Sequence, residues 1–410
     1  GRTGTVDWDT TPKTSTVTAA NGVGYFVDTT AGVITVNLPA GSAGNIVSLS
    51  DYAGTWQTYN VTVTPNGTDK IGGVNNNAVL STEGQSITLV YADATQGWIN
   101  TMDSTSNVRG LVPAFITATG GTITTVDTDY KVHTFTGPGT FTVCSVGNPS
   151  GSDTVDYMVV AGGGGSTQGG GGAGGFREGY NPGSYTASPL ATSALPVSAT
   201  GFPITVGAGG TGAMHLPNCD SNGAANGANS IFSIITSAGG GKGESSTGGP
   251  ATAGTAGGSG GGGSYLSNGS VRYAGNTPPV SPSQGRQGGW GVQPGGRGAG
   301  GGGGATVDGT NATASVNGPG GNGATTSISA SPTAYAGGGG GGNFGTSNTQ
   351  STGGSGGGGA GATPGGGSGS AGTTNTGGGG GGATGTSNND PAQSGGSGGS
   401  GIVVIRYKFQ

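Results

Sequence analysis

Alternating apolar and polar positions dominate the first hundred residues. In 32–39 (GVITVNLP), Ile34, Val36 and Leu38 fall on one side and Val33, Thr35 and Asn37 on the other, the two-residue period of a half-buried strand. The stretches 23–30, 45–52, 59–64 and 87–92 repeat it, with turn signals at 39–41, 65–67 and 93–97 between them. Five or six short strands without any helical period predict a small β-sandwich or barrel over 1–104. A polar, irregular linker follows over 105–114. The β pattern then returns over 115–161. There, 130–135 (YKVHTF) and 140–146 (TFTVCSV) flank Gly137-Pro138-Gly139, which reads as a tight hairpin turn. The short apolar strand 155–161 comes next.

From 162 to 401 the pattern dissolves into glycine, and it reappears only in the closing strand, 402–410 (IVVIRYKFQ). Runs of glycine are ordinarily flexible linker, because glycine loses the most backbone entropy on ordering. Three features oppose a disordered spacer. A linker needs no strand of strong β-formers at its far end. The runs recur between inserts of non-repetitive, aromatic-containing sequence. Between 301 and 400 the only charged residues are Asp308 and Asp390, as suits close-packed backbones.

The packing that such runs permit follows from the backbone. A polyglycine II segment advances about 3.1 Å per residue with three residues per turn and no internal hydrogen bonds. Its N–H and C=O groups point outward and meet a neighbour only if no side chain intervenes. The expected fold is therefore all-β plus a glycine-rich body. An N-terminal small β-sandwich precedes a β framework that carries a packed polyglycine II lattice with protruding loops. The strands at 155–161 and 402–410 should pair, so that the chain enters and leaves the body through one sheet. Two further strands are predicted at 202–207 and 230–236. The inserts 176–200, 213–229, 264–282, 305–317, 325–335 and 343–352 are read as loops. Tyr180, Tyr185, His215, Tyr265, Tyr273, Trp290, Tyr335 and Phe344 lie in or beside them.

Composition narrows the function. Of 410 residues 102 are glycine, only 7% are charged, and the net charge is −5. The strict Gly-X-Y period of collagen is absent, and there is no basic cluster for nucleic acid. Arg272, Arg286 and Arg297 form one loose basic group, read as solvating loops. No stretch approaches the roughly 18 apolar residues of a membrane span. The N-terminus lacks signal-peptide character, and Gly1 in place of Met suggests processing or numbering from inside a longer product. Cys144 and Cys219 lie at a strand end and in a loop, and either a disulfide or two free thiols fits. His133 and His215, the only histidines, have no partner set around them in sequence. HExxH, CxxC, EF-hand and P-loop patterns do not occur. In a quarter-glycine chain a GxGxxG match carries no information. No enzyme, cofactor or metal site is expected.

Several segments resemble a known family. VHTFTGPGTFTV (132–143), DYMVVAGGGG (156–165), ITVGAGG (204–210) and GGSGIVVIRY (398–407) are similar to the glycine-rich domain of bacteriophage tail fibres and related virion proteins. GYFVDTTAGVITVNLP (24–39) and TEGQSITLVYADATQGW (82–98) resemble a fibre domain of tailed phages, notably marine and cyanobacterial ones. The resemblance implies an extracellular virion protein, a tail fibre or fibre tip. Its loops would bind a host-surface receptor, protein or polysaccharide, and its partners would be other tail proteins. A homotrimer is implied by analogy with fibres. The eight side chains named above are the candidate receptor contacts. The alternative is a structural virion component or extracellular filament subunit with the glycine as packing or spacer.

Overall fold

The computed structural model describes residues 6–104, 113–216, 219–221, 223–245, 252–265, 271–293, 298–343, 349–384 and 393–410; within 214–222 only the backbone is described. The chain forms two compact units, Gly1–Leu111 and Val112–Gln410. Both are all-β.

The first unit comprises β1 (Asp7–Lys13), β2 (Val17–Thr18), β3 (Val23–Val27), β4 (Ile34–Asn37), β5 (Ile46–Asp51), β6 (Val61–Thr64), β7 (Ala78–Leu80), β8 (Ser86–Asp93) and β9 (Gly97–Ser104). One sheet has the order β1-β3-β5-β8-β9 and the other β2-β4-β6-β7. The chain alternates between them, so that β1, β3 and β5 pair in parallel, as do β2, β4 and β6. Alternating residues from both sheets meet in one core that includes Val27, Val36, Leu49, Trp56, Val63 and Trp98. This winding, rather than a succession of hairpins, makes the sandwich.

The second unit comprises β10 (Thr117–Thr119), β11 (Thr122–Val126), β12 (Tyr130–Phe135), β13 (Gly139–Ser145), β14 (Thr154–Val160), β15 (Phe176–Tyr180), β16 (Ala191–Ser193), β17 (Leu195–Pro196), β18 (Gly201–Thr205), β19 (Met214–Leu216), β20 (Cys219–Ser221), β21 (Ser230–Phe232), β22 (Ile235–Ser237), β23 (Ala324–Thr326), β24 (Thr333–Tyr335), β25 (Gln393–Ser394) and β26 (Ile402–Lys408). The framing strands do pair: β26 lies antiparallel between β12 and β14, with Val159 opposite Val403 and Tyr157 opposite Ile405. Val155, Tyr157 and Val159 of β14, with Val403, Ile405 and Tyr407 of β26, pack against Phe141, Ile204 and Phe232 of the second sheet, β10-β13-β18-β21-β22. The opposite faces of the same strands, Met158, Val160, Ile402 and Val404, pack against Phe176, Ile328 and Tyr335. A strand covered on both faces reads as an apolar run rather than an alternation, which explains VVIRY and DYMVV.

Four sequence expectations are corrected. Residues 130–135 and 139–145 do not form a hairpin: β12 pairs with β11 and β26, whereas β13 pairs with β10 and β18 in the other sheet. The Gly137-Pro138-Gly139 turn is thus a corner between layers. The expected loop 176–200 starts with a strand, β15, paired to β14. The expected loop 325–335 holds the β23–β24 hairpin, which covers the central sheet. His215 belongs to β19, which pairs with β20 and β25, and not to a loop.

The glycine segments are joined by backbone hydrogen bonds with a three-residue repeat. Gly169, Gly172 and Gly175 donate to the carbonyls of Glu244, Gly241 and Ala238. Gly170 and Ala173 donate to Gly300 and Gly303, and Gly171 and Gly174 to Gly380 and Gly377. The carbonyls of Gly170, Gly171 and Gly172 accept in turn from Gly262, Gly339 and Gly164. These bonds span 2.7–3.1 Å. Every third residue addresses the same neighbour, and residues 161–176 are all buried. No residue of 169–175 has a positive φ. What excludes a side chain at Gly169, Gly170, Gly171, Gly172 and Gly174 is space, because a Cβ there would run into another backbone; Ala173 turns its methyl to the apolar core.

A Cβ on Gly339 would run into the carbonyl oxygen of Gly380, and one on Gly379 into that of Gly171. Gly339→Val and Gly379→Val should each therefore lower stability by about 1–3 kcal/mol for every backbone group left unpaired. Gly137, with nothing near its Cβ position, should accept alanine within about 0.5 kcal/mol. Calorimetric melting of the three variants checks this, and equal melting temperatures would refute the packing account.

Candidate functional site

Three inserts of the glycine-rich body bring polar and aromatic side chains together around Trp290. The first contributes Arg272, the second Gln287 and Trp290, the third Asp308 and Asn311. The scaffold fixes the backbone beneath each: Gly288 donates to Tyr273 O, Gly289 to Gly301 O, Gly309 to Gln287 O, and Ala312 to Trp290 O. The side chains are then set against one another. The Arg272 guanidinium lies 4.3 Å from the Trp290 ring centroid and donates to Asn311 Oδ1 at 3.1 Å. Asn311 Oδ1 also accepts the Trp290 backbone N–H at 3.1 Å. Asp308 accepts from Gln287 Nε2 at 2.8 Å and faces Arg272 at 3.8 Å.

A guanidinium over an indole face contributes about 0.5–1 kcal/mol in exposed settings and more when desolvated. Arg272 Nε is buried and has no hydrogen-bond partner among the described residues, while Asp308 is half-exposed. The cluster therefore presents an aromatic platform edged by planar hydrogen-bonding groups, with exposed Val271 and Val307 beside it. Arg272 does not simply solvate its loop, as its charge had suggested. Tyr273 is half-buried, and burial, followed by the nearby Glu244 carboxylate, pushes its hydroxyl pKa up.

The other candidate residues are placed elsewhere. Tyr265 and Tyr335 are buried, Tyr335 within the core on the outer face of the central sheet. Neither is available for contact with a receptor. Phe344 and the His215 side chain lie outside the described residues. Tyr180 and Tyr185 meet edge to face at 5.9 Å; Tyr180 is half-buried beside a shallow depression lined by Asn181, Pro182 and Thr192.

Tyr185 belongs to a buried polar network that the sequence had not suggested. Its hydroxyl donates to Glu178 at 3.0 Å, which also accepts from Ser188 N at 2.9 Å and from the Thr326 hydroxyl. Arg406 of β26 is fully buried between Tyr130, at 4.2 Å, and Tyr185, at 5.4 Å. It pairs with Asp127 at 2.8 Å and donates to Ser184 O at 2.7 Å. Asp156, opposite Arg406 in the neighbouring strand, accepts from Asn181 N, Asn181 Nδ2 and Ser184 Oγ at 2.7, 3.1 and 2.8 Å. Such a network specifies how the inserts 181–188 and 326–330 dock on the sheet.

His133 is likewise structural. Its ring lies fully buried between Gly120 O, at 2.7 Å, and the Tyr407 hydroxyl, at 3.2 Å. Burial lowers its pKa. Among the described residues no group of three or more His, Cys, Asp or Glu could hold a metal ion. Cys144 is an exposed free thiol.

Paired sheets that open into a hydrogen-bonded glycine scaffold define an all-β, glycine-rich protein. Residues 134–408 match the family described as glycine-rich domain, and the chain belongs to that family. No curated protein matches the chain in sequence.

Burial pushes the Asp156 carboxyl up from its ordinary 3.8 to about 6, against its hydrogen bonds and Arg406. The folded state thus holds this proton more tightly than the unfolded chain does. The stability it contributes is complete below about pH 4 and is lost as pH rises through about 6. His133 acts in the opposite sense: its contribution is present above its unfolded value and lost as pH falls. Asp156→Asn should abolish the first effect alone, so its melting temperature should decline less than that of the parent between pH 4 and 7. Parallel curves would remove Asp156 from the pH response.

Proposed function

We propose that this chain is a virion adhesin of the tail-fibre type, extracellular, which attaches to a host surface through inserts carried on a polyglycine II scaffold. The observation that carries the reading is the division between backbone and side chains. The buried glycine segments are joined mainly by main-chain bonds with a three-residue repeat, the repeat of polyglycine II. The Arg272–Trp290–Asn311 cluster uses side chains from three separate inserts. A scaffold held mainly by its main chain tolerates changes in the inserts without repacking. Tyr273 and Trp290 remain the leading contact residues, with Arg272, Asp308 and Asn311 added to them. Membership of the glycine-rich family and the similarity of the framing strands to fibre proteins support the same assignment.

Trp290→Ala and Arg272→Ala should weaken adsorption of the purified chain to host cells by about thirtyfold or more, since aromatic and arginine anchors commonly carry about 2 kcal/mol or more of an interface. Both should melt within a few degrees of the parent, unlike Gly339→Val. Adsorption is read by pull-down of labelled protein with cells. Unchanged adsorption by both variants would reject the site and favour the structural-subunit alternative.

A further inference from the structure

The first unit carries an open trough on the outer face of its five-stranded sheet, remote in sequence from the Trp290 inserts. The strand register builds it. One cross-strand row runs Trp8, Gly24, Ser48, Thr88, Met102, and the next runs Phe26, Ser50, Ser86, Ser104. Each row is large at its ends or edge and small in the middle. Trp8 lies across Gly24, whose Cβ would sit 2.8 Å from the indole carbons. Trp8 stacks on Phe26 at 4.8 Å, and Phe26 meets Tyr52 edge-on at 6.5 Å. Opposite stands Met102. Between these walls the trough has a volume of about 520 Å³.

Three properties define what fits. Trp8, Tyr52 and Met102 are 43%, 55% and 68% exposed, although the unit's core on the other face is complete without them. The lining carries the hydroxyls of Ser86, Thr88, Thr101 and Ser104, with Asp103 among them, and Thr88 is bonded to the buried Ser48 at 2.8 Å. With strands about 4.8 Å apart, the floor over β8 and β9 is about 10 Å wide, enough for one polymer chain laid along the strands. A protein interface centre is depleted in Ser and Asp, so this floor suits a hydroxylated ligand better than a second copy of the chain. The Asp103 carboxylate in the lining opposes an anionic polymer.

We propose that this trough binds a neutral polysaccharide, with sugar C–H faces against Trp8 and ring hydroxyls on the Ser/Thr floor. The site is independent of the Trp290 cluster and would give the chain a second surface-binding contact.

The test is native electrophoresis of the full chain through gels that contain neutral glucans, mannans or galactans, with light scattering to record oligomeric state. At least one polymer should retard the parent. Trp8→Ala should weaken that binding about tenfold, a loss typical of removing an aromatic platform. Met102→Ala, at an exposed position where folding is secure, should weaken it several-fold, and Trp290→Ala should leave it unchanged. The proposal is overturned if no neutral polymer retards the parent. It also fails if both trough variants bind like the parent, or if Trp8→Ala instead splits an oligomer into monomers, which would make the face a contact between copies.

Discussion

The second unit depends on one constraint: its glycine segments must lie close enough for main chain to bond main chain on every side. In most folds a buried backbone group is satisfied inside a helix or between two strands, and side chains fill the remaining directions. Here segment 169–175 directs its bonds to 238–244, 299–304 and 377–383 and receives others from 161–166, 258–263 and 337–342. At positions such as Gly170, Gly171 or Gly172 one added methyl would run into a neighbouring backbone and strand its donors, whereas the methyl of Ala173 finds room against the apolar core. The usual hydrophobic core is confined to the sheets, where β14 and β26 are covered on both faces.

That separation accounts for where chemistry can appear. Apart from a few small or polar side chains such as Ser166, Gln168 and Ser259, side chains larger than methyl collect in the inserts and at the sheet. At the sheet they close on themselves, as Arg406, Asp127, Asp156, Glu178 and Tyr185 do. On the inserts they stay partly open, as Arg272, Trp290 and Asp308 do. In the first unit, with no glycine lattice, the open chemistry is set by cross-strand register instead.

The framing strands and the ordered glycine were legible in the sequence because an apolar run and an uncharged glycine tract have few other uses. The layer change at Gly137-Pro138-Gly139 was not, since turn residues favour a sharp reversal without specifying which sheet receives the next strand. β15 escaped notice because FREGY alternates with charged residues. One of them, Glu178, is buried by hydrogen bonds that come from distant residues such as Thr326. The burial of Tyr265 and Tyr335 could not be anticipated either, because an aromatic in a polar insert looks the same whether it faces solvent or folds back. Trp290 was visible as an aromatic, but its partners Asn311 and Asp308 became neighbours only through the lattice.

The position of β26 bears on the order of assembly. It occupies the middle of its sheet, between β12 and β14, yet it follows β14 by roughly 240 residues. Contacts of such long separation close slowly. During synthesis, β12 and β14 must wait with exposed edges while the entire glycine tract leaves the ribosome. A nascent chain of this kind offers two sticky strand edges to its neighbours for many seconds at ordinary elongation rates. The scarcity of long apolar runs within the tract then has a second value: it leaves the waiting chain little hydrophobic surface with which to misassemble.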